Sequence, residues 1–161
     1  SNQPNNEAAV IKQLKFTVPL YNFYAAAGSF SELQTDKAFS LIEVPEKYAN
    51  SSDYFACTIL GESMNKIIPN GATCLFRKYT GGSRSGKIVL VENFDYQDPD
   101  FKSAFTIKTY TSEKIVTEEG WSHRKITLFP NSYSHDYQPL VIDQIDADSM
   151  RIVGEFIVVL D

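Results

Sequence analysis

The chain has 161 residues, of which 43% are hydrophobic, so it can bury the core of one domain, and intrinsic disorder is excluded. Its 20 acidic and 15 basic side chains give a net charge of -5, which disfavours binding of a nucleic-acid backbone through this segment. Aromatic residues make up 13%, with nine Tyr and eleven Phe, a bias toward strands rather than helical bundles. We therefore expect a mainly β fold.

Short apolar runs bounded by turn residues predict the individual strands. We expect residues 1–15 to be a flexible N-terminal segment or remnant, with at most a short helical turn in residues 7–14. The predicted extended segments, in chain order, are residues 16–21, 40–44, 54–60, 72–77, 87–92, 105–110, 114–117, 126–129, 140–142 and 150–160. Many short strands at this spacing are typical of a barrel-like or sandwich-like β fold.

The sequence shows no membrane-spanning segment, no secretory signal and no metal-binding cysteine pattern. The longest uninterrupted apolar run, residues 156–160, has five residues where a membrane-spanning helix needs roughly 20. The polar start of the chain lacks the features of a secretory signal. Cys57 and Cys74 lack a Cys-x-x-Cys spacing, which favours two ordinary buried thiols over a zinc site or a disulfide. We expect a cytoplasmic protein with no metal and no membrane partner.

The sequence contains part of a phosphate-binding loop and two histidines, but the surrounding residues do not support either kind of catalytic site. Residues 81–87 satisfy the Gly-x4-Gly-Lys part of a phosphate-binding loop, but Ile88 stands where Ser or Thr is needed, and a strand follows instead of a helix. A plain hairpin loop is the better interpretation. His123 and His135 lie in polar stretches without a triad or metal-binding pattern, and they are expected at the surface. The sequence thus disfavours both a His-dependent serine hydrolase and a zinc hydrolase.

A serine that acts without a histidine remains possible. Ser63 lies in a Gly-Glu-Ser-Met turn, residues 61–64, at the end of a predicted strand. A lysine can activate such a serine only as a neutral amine, so its pKa must fall from about 10.4 toward 7 or 8, as burial allows. Lys108 is a candidate because it lies mid-strand between Ile107 and Thr109. Judged singly, Ser63 fits a turn residue and Lys108 a solvent-facing strand lysine.

Five segments in order resemble the self-cleaving serine peptidase domain shared by LexA, UmuD and phage repressors of the lambda type. They are residues 18–28, residues 55–64, residues 68–72, residues 86–91 followed by 105–108, and residues 128–140 followed by 152–154. The likeness spans about residues 16 to 160. It implies a LexA-like or signal-peptidase-like β-barrel-type fold, with a peptidase domain over residues 16–161 that includes a cleavage-site region at residues 16–40.

The resemblance also implies the residue roles. Ser63 would be the nucleophile and Lys108 the general base, with the backbone amides of Ser63 and Met64 holding the oxyanion. The cleaved bond would be Ala27-Gly28, and the family's chemistry requires no cofactor.

Two departures from the family pattern stand out. Ser63 and Lys108 are separated by 45 residues, several more than in compact family members, and the surplus falls in residues 93–104. This acidic, aromatic insertion is either a solvated hairpin or a partner surface. Ala72 replaces the acidic residue that usually follows the glycine at position 71.

The resemblance implies an SOS-response or phage-repressor-type regulator that cleaves itself. By the same likeness the domain forms a homodimer, and a RecA filament on single-stranded DNA promotes docking of the cleavage segment. About 27 residues precede the predicted cut, too few for a helix-turn-helix domain.

Several alternatives therefore stay open. The chain is either a stand-alone UmuD-like protein or the C-terminal dimerisation module of a larger repressor, which binds DNA only through an N-terminal domain absent here. A β-fold ligand binder with an incidental Ser and Lys would show no chemistry. A signal peptidase acting on other chains would share the dyad, but it ranks low without a membrane segment.

Overall fold

The computed structural model of the chain describes residues 16–21, 40–48, 52–93, 105–143 and 150–161. The nine strands of this part are β1 (Thr17–Tyr21), β2 (Ser40–Glu43), β3 (Tyr54–Thr58), β4 (Thr73–Lys78), β5 (Ile88–Asn93), β6 (Phe105–Val116), β7 (Ser122–Phe129), β8 (Leu140–Asp143) and β9 (Met150–Val159). One 3-10 turn, Glu46–Tyr48, is the only helical element within these ranges. The prediction of a mainly β fold is confirmed.

Some predictions fall on residues outside the described ranges. These are the flexible segment 1–15, the Ala27-Gly28 bond and nearly all of the insertion at residues 93–104. Among the residues that are described, no helix is long and apolar enough to cross a membrane.

All nine strands belong to one sheet in the order β2-β1-β3-β4-β9-β5-β6-β7-β8. Neighbours pair antiparallel except β1 and β3, which are parallel. The predicted barrel-type arrangement is found as an open sheet, because its terminal strands β2 and β8 do not pair with each other. The register shifts at Leu75/Phe76 and at Leu90/Val91, on the two sides of β9. Such irregularities bend a sheet locally.

The core forms on both faces of this sheet, because alternate residues of a strand point to opposite sides. One cluster contains Phe55, Phe76, Phe105 and Ile107, and the Phe55 and Phe76 rings stack at 5.5 Å. A second cluster contains Val89, Val91, Tyr110, Leu128 and Ile152, among others. Strand β6 contributes to both clusters, and its even-numbered residues share the face of the second.

The sequence missed the length of one hairpin. Residues 105–110 and 114–117 were predicted as separate strands, but they lie in the single strand β6, and β7 begins at Ser122 instead of Ile126. The β6–β7 ladder continues to Val116, and the turn closes where Thr117 N donates to Trp121 O at 2.8 Å. This outer part is mostly exposed, so it needs no apolar alternation, the signal on which the strand prediction rested.

Candidate active site

Ser63 lies in the turn that connects β3 to β4. The turn opens at Gly61, whose φ of 103° is readily adopted only by glycine. Gly61 N donates to Asn70 Oδ1 at 2.8 Å, which ties the start of the turn to its end. The side chains of Met64 and Ile68 are fully buried in the core. The buried side chains of Met64 and Ile68 thus fix the position of the turn that carries Ser63.

A second set of contacts joins this turn to the end of β7. Asn131 N donates to Ser63 O at 2.8 Å, and Lys66 N donates to Asn131 O at 3.1 Å. Asn65 Oδ1 accepts a hydrogen bond from Tyr133 N at 2.8 Å. Because β7 pairs with β6, these bonds set the position of Ser63 relative to the strand that carries Lys108.

Ser63 and Lys108 meet directly. Lys108 Nζ lies 3.0 Å from Ser63 Oγ, 2.9 Å from Thr106 Oγ1 and 3.0 Å from the Ile107 carbonyl oxygen. Each of the two side chains is only 8% exposed. Residues 45 positions apart, predicted separately as nucleophile and base, therefore lie within hydrogen-bond distance.

The three oxygen atoms around Nζ can accept the three N–H donors of an ammonium, and they also accommodate the neutral amine that the predicted role requires, which has two N–H donors and one lone pair. The Ile107 carbonyl can only accept, so it takes one N–H group. Thr106 Oγ1 can accept the second, which leaves the lone pair for the hydroxyl proton of Ser63. Burial by itself favours an uncharged amine over a poorly hydrated ammonium.

The backbone amides of Ser63 and Met64 were predicted to hold an oxyanion. Neither N–H donates a hydrogen bond to any residue within the described ranges. Both are therefore available to an incoming carbonyl oxygen. Their role stays a prediction, as does that of the Ala27-Gly28 bond.

The remaining sequence candidates lie apart from this pair. His135 is exposed and His123 is half-buried within β7. Cys57 and Cys74 are buried free thiols directly opposite each other on β3 and β4, as expected for structural cysteines. Burial, with Asp161 nearby, raises the pKa of the Cys74 thiol to about 12. No group of three His, Cys, Asp or Glu side chains in the described part could hold a metal.

Sequence reasoning missed three residues that hold the pair in place: Thr106, Asn70 and Asn131. Thr106 lies two residues before Lys108, so strand alternation alone places both on one face and could have found it. Asn70 belongs to a Pro-Asn-Gly turn, which signals a turn but not the bond to Gly61. No sequence signal connects Asn131 with Ser63, because that contact joins distant elements.

Fold and site together define a class: mainly β proteins in which a buried serine and a buried lysine face each other without a histidine. A family model described as Peptidase S24-like matches residues 19–157, a range that contains both side chains. The chain belongs to this family, the LexA/UmuD-type self-cleaving peptidases, and the resemblance found in the sequence is confirmed. No curated protein matches the chain at a significant level.

Proposed function

We propose that this domain is a serine peptidase that cuts its own chain at Ala27-Gly28, with Ser63 as nucleophile and Lys108 as general base. The observation that carries the proposal is the 3.0 Å approach of Lys108 Nζ to Ser63 Oγ between two buried side chains. Membership of the Peptidase S24-like family supports the same chemistry.

The reaction uses each group of the site in turn. Neutral Lys108 takes the Ser63 hydroxyl proton while Oγ attacks the carbonyl carbon of Ala27, and the amides of Ser63 and Met64 stabilise the developing oxyanion. The proton then passes from Lys108 to the leaving amine of Gly28. Water, deprotonated by the same lysine, hydrolyses the resulting ester and frees Ser63.

The small residues at the cut fit this chemistry. Ala27 and Gly28 carry little or no side chain, so the backbone of the cleavage segment can come close to a buried hydroxyl. Docking and undocking of residues 16–40 would then gate the reaction.

The wider role proposed here follows from the family. The domain would serve an SOS-response or phage-repressor-type regulator in the cytoplasm, as a homodimer whose self-cleavage a RecA filament promotes. It would reach DNA only through a further N-terminal domain. The same fold would serve as the dimerisation module of a larger repressor, and the full open reading frame distinguishes these settings.

Intact mass measurement tests the proposed cleavage. The chain is incubated between pH 7 and pH 10 beside Ser63→Ala and Lys108→Ala, with Ser122→Ala and Lys114→Ala as matched controls at exposed positions. We expect two fragments that meet at Ala27-Gly28 from the wild type and both controls, and none from the two site variants. The rate should rise with pH until Lys108 is neutral and then level off, because only the neutral amine can act as the base.

A cut at the same bond in Ser63→Ala would overturn the proposed nucleophile. If the wild type stays intact at every pH, a RecA filament on single-stranded DNA is added. An intact chain under that condition too would overturn self-cleavage.

A further inference from the structure

A polar pocket of about 310 Å³ lies on the same face of the sheet as the Ser63–Lys108 pair but farther along β6. It is lined by loop residues 82–85 between β4 and β5, by Tyr110 and Ser112 of β6, and by Arg124 of β7. Tyr110 is two residues beyond Lys108, so the pocket begins roughly 7 Å from the lysine along the strand. Its volume is at the low end of small-molecule sites.

Arg84 is held in this pocket by aromatic rings. Its guanidinium carbon lies 4.7 Å from the centre of the Tyr79 ring and 5.5 Å from that of Tyr110. A guanidinium in contact with aromatic rings still has its N–H groups to offer to a ligand. Those groups donate no hydrogen bond to any residue that the structure describes. The pocket thus holds an oriented cation with open donors.

The loop that carries Arg84 is fastened to the sheet at both ends. Gly86 N donates to Tyr110 O, and Tyr110 N donates to Lys87 O, each at 2.8 Å. The Tyr79 hydroxyl donates to Gly82 O at 3.0 Å. A pocket already fixed in this way loses little conformational freedom when a ligand binds.

The charges around the pocket favour an anion. Arg124 Nη1 donates to Ser112 Oγ at 3.3 Å, and Lys114 lies directly opposite Arg124 in the ladder. Together with Arg84, they place three basic side chains at or beside the pocket. The nearby acid on β6, Glu113, points to the other face, where it lies opposite Lys125. A positive face is unexpected on a protein with a net charge of -5.

The donor set suits a phosphate group better than a carboxylate. The Arg84 guanidinium can make paired hydrogen bonds, Arg124 adds positive charge, and the hydroxyls of Ser83, Ser85 and Ser112 add further donors. A carboxylate offers two oxygen atoms, whereas a phosphate monoester offers three non-bridging ones. Residues 18–28, which end at the predicted Ala27-Gly28 bond, contain no Asp or Glu, so this stretch does not itself supply the anion.

We propose that this pocket binds the phosphate group of a small molecule, with Arg84 as the main ligand and Arg124 and the serine hydroxyls in support. The mode differs from the phosphate-loop pattern that residues 81–87 partly match, because a strand and not a helix follows, and side chains supply the charge. The site uses neither Ser63 nor Lys108, so phosphate binding can be tested independently of the proposed cleavage.

Calorimetric titration of the full chain tests the site. The probes are inorganic phosphate, ribose 5-phosphate, unphosphorylated ribose and acetate. We expect saturable one-site binding of at least one phosphate probe, and at least tenfold weaker binding of ribose and acetate. Equal affinities for the two phosphate probes would identify the free anion as the ligand. Tighter binding of ribose 5-phosphate would identify a monoester whose organic part lies beside Tyr110.

Variants locate the binding. Arg84→Gln should weaken phosphate binding at least tenfold, and Ser112→Ala about threefold. Arg77→Gln is the matched control, because Arg77 also lies over a tyrosine ring, Tyr54 at 5.4 Å, but outside the pocket. It should change the affinity less than twofold. Circular dichroism checks that each variant is folded. No saturable binding of either phosphate, equal binding by Arg84→Gln, or acetate bound as tightly as phosphate would each overturn the proposal.

Discussion

The two halves of β6 place the same residue type in opposite surroundings. Lys108 and Lys114 lie on one face of this strand, yet Lys108 is 8% exposed among three oxygen atoms, whereas Lys114 is exposed opposite Arg124. The inner half packs against both core clusters, and the outer half extends into a hairpin. Whether a lysine of this strand can act as a base therefore depends on whether other elements of the fold cover it.

The largest expected effect is on the rate of self-cleavage, when each lysine is replaced by a permanently charged arginine. Lys108→Arg keeps a long basic side chain but cannot supply a neutral base, because a guanidinium stays protonated. We expect self-cleavage at pH 9 to fall at least about 10³-fold, whereas Lys114→Arg leaves it unchanged. Fragment formation followed by mass spectrometry measures both. An equal loss of cleavage in both variants would show that the two halves of β6 do not differ in this respect.

The next effect concerns stability. Ile107 is 1% exposed in the inner half and Val116 is 64% exposed near the hairpin tip. Ile107→Ala should lower the free energy of unfolding by about 2–5 kcal/mol, because it leaves a cavity in the core. Val116→Ala should change it by less than about 0.5 kcal/mol. Urea denaturation of Ser63→Ala proteins, which should stay intact, compares the two, and similar losses would contradict the division of β6.

Thr106 tests how the covered half of β6 orients Lys108. Its hydroxyl lies 2.9 Å from Lys108 Nζ, so Thr106→Val removes one of the groups that orient the amine. We expect a roughly tenfold slower cleavage and a shifted pH profile, since a lost hydrogen bond of this kind is worth about 1–2 kcal/mol. Thr106→Ser keeps the hydroxyl and should restore both. An unchanged pH profile in Thr106→Val, despite slower cleavage, would assign Thr106 a structural role only.

The smallest effect concerns the buried thiols. Since burial raises the pKa of Cys74 from 9.0 to about 12, the folded protein holds this proton more tightly than the unfolded chain. Its stabilising contribution is complete below pH 9 and is lost as the pH rises toward 12. We expect the free energy of unfolding to fall by about 1 kcal/mol between pH 8 and pH 10 from this group. The measurement is urea denaturation at both pH values, and Cys74→Ala should reduce the fall. An equal fall in Cys74→Ala would assign it to other groups.

Local patterns in the sequence were sufficient for much of the fold and for the central pair. Apolar runs between turn residues placed every described strand, and the Gly-Glu-Ser-Met turn and the strand around Ile107 singled out Ser63 and Lys108. Their contact could be expected only through the family resemblance, because it joins two elements that are distant in sequence. The Asn131 hydrogen bond to Ser63 had no local signal at all. The continuous hairpin was missed because exposed strands lack apolar alternation.

The place of β9 has a consequence for when the protein can act. This strand is the last of the nine to be synthesised, yet it lies between β4 and β5 in the sheet. Ser63 precedes β4 and Lys108 follows β5, so the proposed nucleophile and the proposed base belong to two groups of strands that β9 joins. A nascent chain still lacking β9 has no complete site. On the proposed mechanism, cleavage would therefore wait until β9 has been synthesised and has paired with β4 and β5.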